Sequence, residues 1–519
     1  MSLNTIDIVV FCAYVLGLIG VAFYVSREKA GHEKDANDYF LAGNSLPWWA
    51  VGASLIAANI SAEQIIGMSG SGFKIGLAIA SYEWMAAITL MIIGKYCLPI
   101  FLEKKIYTMP QFLEQRFDSR VRVTMAVFWL GVYVLVNLTA ILWLGALAIN
   151  TITGVDLMAG MIFLGLFSVA YSLYGGLKAV AFTDIIQVVL LIFGGLFLSY
   201  TALDLIGQGN GIVAGFAALT DQAPEKFDMI LAKDHPHYID LPGLSVLVGG
   251  MWIMNLSYWG FNQYIIQRTL AAKSLEEGQK GIAFAAFLKL LMPVIVVLPG
   301  IAAVILLPEL ERADQAYPQL MNLMPVGLKG LVFAALVAAI VSSLASMTNS
   351  IATIFTMDLY KSDDKPRSEQ HYVTVGRIVS FSALVIAMLV AKPLLGQFDQ
   401  AFQYIQEFTG FFTPGIVVLF ITGMFWKKTT ANAGLAAAIG SFVLSIVFKY
   451  AWPTLPFMDR VGIVFLSCLA ITVVVSLFEN KVQDNAVDLD GVSFKTTTGF
   501  NVSTVAVIAI LIAFYSAWW

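Results

Sequence analysis

Charge is scarce in this sequence. Only 12% of its 519 residues are Asp, Glu, Lys or Arg while 59% are hydrophobic, and the mean hydropathy of +0.80 excludes a soluble globular protein of this size. Acid and base nearly cancel at a net charge of −4, so the balance carries no nucleic-acid signal. Cysteine is scarcer still. Cys12, Cys97 and Cys468 are odd in number and lie in apolar runs, which argues against a disulfide framework and for small buried hydrophobes. The four histidines, at 32, 235, 237 and 371, fall in polar stretches. No His, Cys–His pair or metal-ligating cluster sits in an apolar run, so the groups an intramembrane enzyme needs are missing. The opening Met1-Ser2-Leu3-Asn4-Thr5 lacks a basic region and a small-residue cleavage site follows nowhere nearby, so the first apolar run is expected to be retained rather than removed as a signal peptide.

Long hydrophobic runs are what the chain has instead. A span needs roughly 20 predominantly apolar residues, and by that measure about 14 transmembrane helices are expected, from about 6–26 to about 500–518. The fold class is therefore all-α and polytopic, with the lipid bilayer as its solvent. Loops that fall on one side of such a count carry about two thirds of the 30 Lys and Arg, which orients that side inward and predicts both termini outside. The longest polar stretch, 207–242, reads as an external loop, with His235 and His237 simply solvated there.

Two of the apolar segments are interrupted near their middles by hydrogen-bonding residues. One is Asn59-Ile60-Ser61-Ala62-Glu63-Gln64 within 46–73; the other is Asn255-Leu256-Ser257-Tyr258-Trp259-Gly260-Phe261-Asn262-Gln263 within 244–270. Backbone that leaves helical geometry at membrane depth survives only where it lines a cavity. Each broken segment opens a set of five spans, and the sets begin an odd number of spans apart, so they run oppositely through the membrane. The plan predicted is a first inverted repeat at 46–206 and a second at 243–426. Around them stand an extra N-terminal helix and cytoplasmic loop at 1–45, the external loop at 207–242 and three additional helices at 427–519.

An ionisable group in hydrocarbon costs at least about 2.5–3.5 kcal/mol on insertion scales, so Glu63, Glu83, Asp184, Arg268 and Lys289 are functional candidates. Glu83 and Lys289 have no charged neighbour on their own helices and need partners from elsewhere. Gln64, Asn255 and Gln406 add amide donors and acceptors without net charge. Such a set suits a sugar, whose hydroxyls donate and accept and whose ring has an apolar face for Tyr82, Tyr258, Trp259 or Phe402. A second constellation suits sodium, a hard cation that prefers oxygen. Ser342 and Ser343 supply hydroxyls, and Ala339 lies on the same helical face with its carbonyl. Carbonyls freed at the first break, around Ala57 and Ile60, would complete the shell, with Asp184 near enough to steady the charge. Gly67, Gly70 and Gly72 read as close helix approach rather than as a phosphate loop.

These residues resemble the sodium/solute symporter family over nearly the whole chain. Three stretches carry the resemblance: Ala57 to Gln64 with Tyr82-Glu83-Trp84; Tyr171-Ser172-Leu173-Tyr174-Gly175-Gly176-Leu177; and Gly330 to Ala335 through Ser342-Ser343-Leu344-Ala345-Ser346 to Asn349-Ser350. The set Gln64, Glu83, Asn255, Lys289 and Gln406 is narrower and resembles the sugar-transporting branch. The resemblance implies a LeuT-like five-plus-five inverted-repeat core with broken first and sixth core helices, and sodium-driven import of a galactose- or glucose-like hexose by alternating access. It adds Asn59 to the sugar contacts. It implies that Tyr258, hydrogen-bonded to Asn255 and next to Trp259, gates the site from within, while Met68, Tyr82 and Phe402 form an outer lid. It also places sodium against Ala57, Ile60, Ala339, Ser342 and Ser343, with Asp184 nearby. Ala86 departs from it, standing one turn after Glu83 where a serine is expected.

The competing readings are a sodium symporter of the same family for an amino acid, vitamin or organic anion, and a membrane sensor or channel. An anionic substrate would demand an Arg or a helix N-terminus and no Glu83–Lys289 pair.

Overall fold

Among the described residues every regular element is a helix, apart from one isolated bridge between Leu46 and Ala272. The structure is a computed structural model and describes residues 3–26, 44–106, 108–172, 177–361, 367–481 and 483–519. Leu173, Tyr174, Gly175 and Gly176 of the second motif stretch lie outside these, as do Arg27, Lys29, Lys34, Lys365 and His32. The elements that position the site are, in chain order, α1 (Thr5–Ser26), α2 (Trp48–Asn59), α3 (Met68–Lys74), α4 (Ser81–Tyr96), α5 (Gly250–Leu256), α6 (Gln263–Leu270), α7 (Leu275–Ile295), α8 (Leu328–Thr353), α9 (Ala401–Thr409), α10 (Thr413–Phe425), α11 (Ala431–Ala451) and α12 (Phe457–Glu479). Several begin where an apolar run meets a hydroxyl: Ser274 caps α7 through Glu277 N–H and Thr430 caps α11 through Ala433 N–H.

Nine helices among the described residues are long and apolar enough to cross a membrane, or up to eleven if each of two bent pairs is one span. Thr5–Val21 and Leu157–Val169 are apolar but shorter. The expected fourteen is not reached by this measure. The segment 244–270 fails it because it is divided into pieces, each too short to cross alone. The stretch 207–242 also differs from a plain loop, since it holds a helix at Gly211–Gln222 and a turn at Pro224–Lys226. Within it His237 pairs with Asp240 at 2.9 Å.

Both expected breaks are present. At the first, α2 ends at Asn59, Ile60 leaves helical geometry (φ −74°, ψ 89°), and the chain re-enters through a wide π-helical turn at Glu63–Gly67; the two halves meet at 63°. At the second, a π-helical turn at Ser257–Phe261 leads to Asn262 in extended geometry (φ −87°, ψ 119°) before α6. A third break was not expected from sequence. The segment read as one helix, 402–426, bends by 46° between α9 and α10. Pro414 has no N–H to offer the carbonyl of Gly410, and this is the physical reason.

Glycines let the broken helices approach their neighbours. A Cβ on Gly52 would sit 2.6 Å from the Gly281 carbonyl, which brings α2 onto α7 backbone to backbone; one on Gly72 would sit 2.8 Å from the carbonyl of Val297. Gly67 and Gly70 meet Phe402 and Asp314 in the same way, so the close-approach reading of this trio holds. At the other edge, α1 docks onto α8 through buried Asp7, which accepts from Gly327 N–H (2.7 Å) and Gly330 N–H (3.0 Å) and so satisfies the free amides at the start of α8.

The far end of α3 is tied to the segments between spans. Lys74 pairs with Asp399 at 2.8 Å, and Asp399 also accepts from Ala313 N–H at 3.0 Å. Beside them Asp314 is fully buried, with one carboxyl oxygen on Ala401 N–H (2.9 Å) and the other without a partner. Burial pushes this carboxyl up to about 8, against the pull of Ala401 N–H and Arg312 and helped by Asp399. Below 3.8 both states carry this proton; between 3.8 and about 8 the unfolded chain releases it while the folded protein keeps it, which draws the equilibrium toward unfolding. The group's contribution to stability is present at low pH and disappears as pH rises from the ordinary 3.8 toward 8. The melting temperature in detergent should therefore fall over that window in the parent and less so in Asp314→Asn. Equal slopes in the two proteins would show that Asp314 holds no such proton.

Candidate functional site

The two expected breaks face a common cavity. From the first and from α4 come Asn59, Gln64 and Glu83; from the second come Asn255, Tyr258 and Trp259; and α9 adds Phe402 and Gln406. Tyr82 and Phe402, both on its wall, meet edge to face, 5.1 Å between centroids. Asn262, Thr413 and Ile416 also line it.

Glu83 and Lys289, isolated on their own helices, are each other's partners. The Lys289 ammonium donates to a Glu83 oxygen at 2.5 Å and also to the side-chain oxygen Oδ1 of Asn59, and it lies 4.9 Å from the Trp259 ring centroid. Lys289 is 0% and Glu83 3% exposed, so the ion pair is shut off from bulk water and its charge is balanced locally. The Asn59 amide passes the connection on, donating to Tyr258 Oη at 3.0 Å, and Tyr258 Oη meets Tyr264 Oη at 2.8 Å. A single hydrogen-bonded chain thus runs from α4 through α7 and the first break to the second.

Three expectations need correction. Tyr258 is bonded to Asn59 and Tyr264, whereas the Asn255 amide turns back onto the carbonyl of Met251 at 3.2 Å. An amide one turn below a helix carbonyl satisfies itself locally. Met68 does not reach the cavity: it is fully buried, and its sulfur accepts from the Gln64 amide at 3.2 Å. Lys289 lies behind Glu83 rather than on the cavity wall. Ala86 is 1% exposed and does not line the cavity, so the residue that departs from the resemblance faces protein.

Other lining residues were not assigned a place from sequence. Glu63 lies on the wall near Asn137, with one carboxyl oxygen buried and unpartnered. Asn262 accepts from Tyr133 Oη at 2.6 Å, which pins the second break to a neighbouring helix. The available signal was a lone amide, Asn137, in an apolar run, inside a π-helical turn at Tyr133–Leu138.

The cation constellation is also assembled in part. Ser342 donates to Asp184 at 2.8 Å, so its lone pairs face away from that carboxylate and remain free for a cation. Ser343 is 8% exposed beside it, and α8 touches α2. Ser61 N–H turns to the Asn59 carbonyl at 2.9 Å, which deprives the Ala57 carbonyl of its ordinary helical donor. Arg268 stands close enough to Asp184 to lend it positive charge and donates to Ser346 at 3.3 Å.

Paired helix breaks, opposed in the membrane and sharing a polar cavity, define a secondary transporter of the LeuT-like inverted-repeat class. The chain belongs to the sodium:solute symporter family, whose model matches residues 39–440. It is 52% identical to the sodium/glucose cotransporter of Vibrio parahaemolyticus, covering 100% of this chain and 99% of that one. It is 34% identical to the mouse sodium/myo-inositol cotransporter 2, over 87% of this chain and 72% of that one. Its fold matches a sodium-coupled sialic acid symporter solved in a substrate-bound outward-open state, with TM-score 0.76 and 24% identity over 92% and 98% of the two chains. It is a multi-pass membrane protein that moves a small solute with sodium, not an enzyme.

Breaking the buried pair on one side leaves a stranded charge, at a cost of roughly 3–5 kcal/mol, whereas replacing both partners removes the problem. Lys289→Met should therefore lower the melting temperature in detergent more than Glu83→Gln combined with Lys289→Met. Simple additivity of the two single changes would mean the groups do not interact.

Proposed function

We propose that this protein imports a monosaccharide of the galactose or glucose type together with sodium, across a bacterial plasma membrane, with both termini outside. The observation that carries the reading is the internally balanced Glu83–Lys289 pair on the cavity's edge among Asn59, Gln64, Asn255 and Gln406. A neutral, hydroxyl-rich ligand can take hydrogen bonds from such a wall without bringing a charge to be compensated, whereas a carboxylate would leave one over. The names of the Vibrio and mouse relatives point the same way, to a hexose and a cyclic polyol.

In this reading Gln64, Glu83, Asn255 and Gln406 bind sugar hydroxyls directly. Lys289 holds Glu83, Asn59 holds Lys289, and both join the contact when the solute is present. Trp259 offers its ring. Tyr258 is the inner gate, held to both breaks through Asn59 and Tyr264; Tyr82 and Phe402 close the outer side, with Met68 supporting Gln64 from behind. Sodium sits against the carbonyls of Ala57, Ile60 and Ala339 and the hydroxyls of Ser342 and Ser343, with Asp184 accepting the Ser342 hydrogen bond. The first repeat spans 46–206 and the second 243–426, and the outer segment 207–242 leads into the second. Binding at the first break and at α8 together ties the ion to the sugar, because both sites share α2.

Uptake of labelled hexoses and myo-inositol into proteoliposomes should depend on an inward sodium gradient and not be supported by potassium. Uptake indifferent to sodium, or confined to anionic solutes, would overturn the reading. Glu83→Ala and Lys289→Ala should each lose at least about tenfold in sugar affinity, since an unsatisfied buried group adds to the lost contact. Calorimetry in detergent that finds near-parental affinity in both would remove the pair from the site. Ser343→Ala should raise the sodium concentration for half-maximal uptake, and an unchanged sodium curve would relocate the ion.

A further inference from the structure

The closing helices α11 and α12 do more than flank the core. The α9–α10 break opens at Gly410-Phe411-Phe412, and the carbonyl of Phe411 leaves the helix there. It is received by two hydroxyls of α11, Ser441 at 2.9 Å and Ser445 at 3.5 Å. One turn earlier Glu407 is gripped by both closing helices: Lys449 of α11 lies 2.9 Å and Arg460 of α12 3.1 Å from the same carboxyl oxygen. The cations also cover the aromatic side of the bend. Lys449 stands 4.7 Å from the Phe408 ring centroid and Arg460 5.1 Å from that of Phe411. The Arg460 side chain is only 5% exposed, so its charge depends on Glu407 for compensation. A Cβ on Gly410 would already lie 3.0 Å from Val461, leaving the bend no room to slide along α12.

Glu407 directly follows Gln406, and Phe402 lies one turn before it. Both of these line the cavity. A rigid α9 cannot tilt without moving them together. We propose that Glu407, Arg460 and Lys449 are positioning residues for solute recognition: the closing helices hold α9 at the angle that presents Gln406 and Phe402 to the solute. This rests on the reading of Gln406 as a solute contact. It separates the α9 wall from the cation constellation on α2 and α8, to which the node makes no bond among the described residues.

The test is a double-mutant cycle between Arg460→Gln and Gln406→Ala in proteoliposomes, with hexose KM, maximal rate and half-saturating sodium measured for each protein. Arg460→Gln should raise hexose KM about fivefold with the sodium value unchanged, and the effect should vanish in the Gln406→Ala background, because coupled residues are non-additive. Arg460→Lys, which keeps the charge near Glu407, should restore most of the affinity. Ser441→Ala removes only the hydroxyl from the bend and should shift KM in the same direction without a large loss of melting temperature, which keeps the test open if Arg460→Gln fails to fold. Additive effects, an unchanged KM in Arg460→Gln and Ser441→Ala, or equal shifts in hexose and sodium would overturn the proposal. An unchanged KM in Gln406→Ala alone would instead overturn the solute contact on which it rests, and the proposal with it.

Discussion

A carboxylate and an ammonium facing each other in hydrocarbon organise this protein. Alone, either Glu83 or Lys289 would be too costly to bury; together, at 2.5 Å and out of reach of bulk water, they hold α4 against α7 and present a polar edge to the cavity. Lys289 has three protons to place. It places one on Glu83 and one on Asn59, and its remaining surface faces Trp259. Because Asn59 is the last residue of α2, the pair also fixes the position at which the first helix breaks. Tyr258 then carries the connection to the second break.

The breaks obey a second constraint, the obligation to satisfy backbone groups where no water is guaranteed. At the first, a π-helical turn and the Ser61 side chain take up amides that a straight helix would have paired, and the Ala57 carbonyl is freed of its helical donor. At the second, Asn262 passes the discontinuity to Tyr133. The third break, opened by Pro414, is closed by hydroxyls from α11. Each break is therefore paired with a specific donor or acceptor on another helix, and none is a loose joint. This is how a bundle with few charged residues acquires defined hinges.

Close approach supplies the rest. Gly52 against Gly281, and Gly72 against Val297, bring the first broken helix within backbone contact of α7 and its continuation. With no hydrophobic drive to bring helices together inside lipid, such small-residue contacts and the dispersion they allow hold the site's walls in register.

Much of this was legible in the chain itself. Membrane class, helical fold and the first two breaks follow from hydropathy and from polar residues interrupting apolar runs, which are local properties. Glu83, Lys289, Gln64, Asn255, Gln406 and Ser342 could be singled out one at a time, because a polar group in hydrocarbon is conspicuous wherever it lies. Their partners could not. That Glu83 meets Lys289, 206 positions away, that Tyr258 bonds to Asn59 rather than Asn255, that Met68 turns inward behind Gln64, and that Ser441 receives the carbonyl of Phe411 were all decided by which helix faces meet. A soluble helix announces its inner face by amphipathic periodicity. Here lipid and protein interior are equally apolar, so the pattern that would orient each helix is nearly flat, and only the assembled bundle decides which polar groups come together.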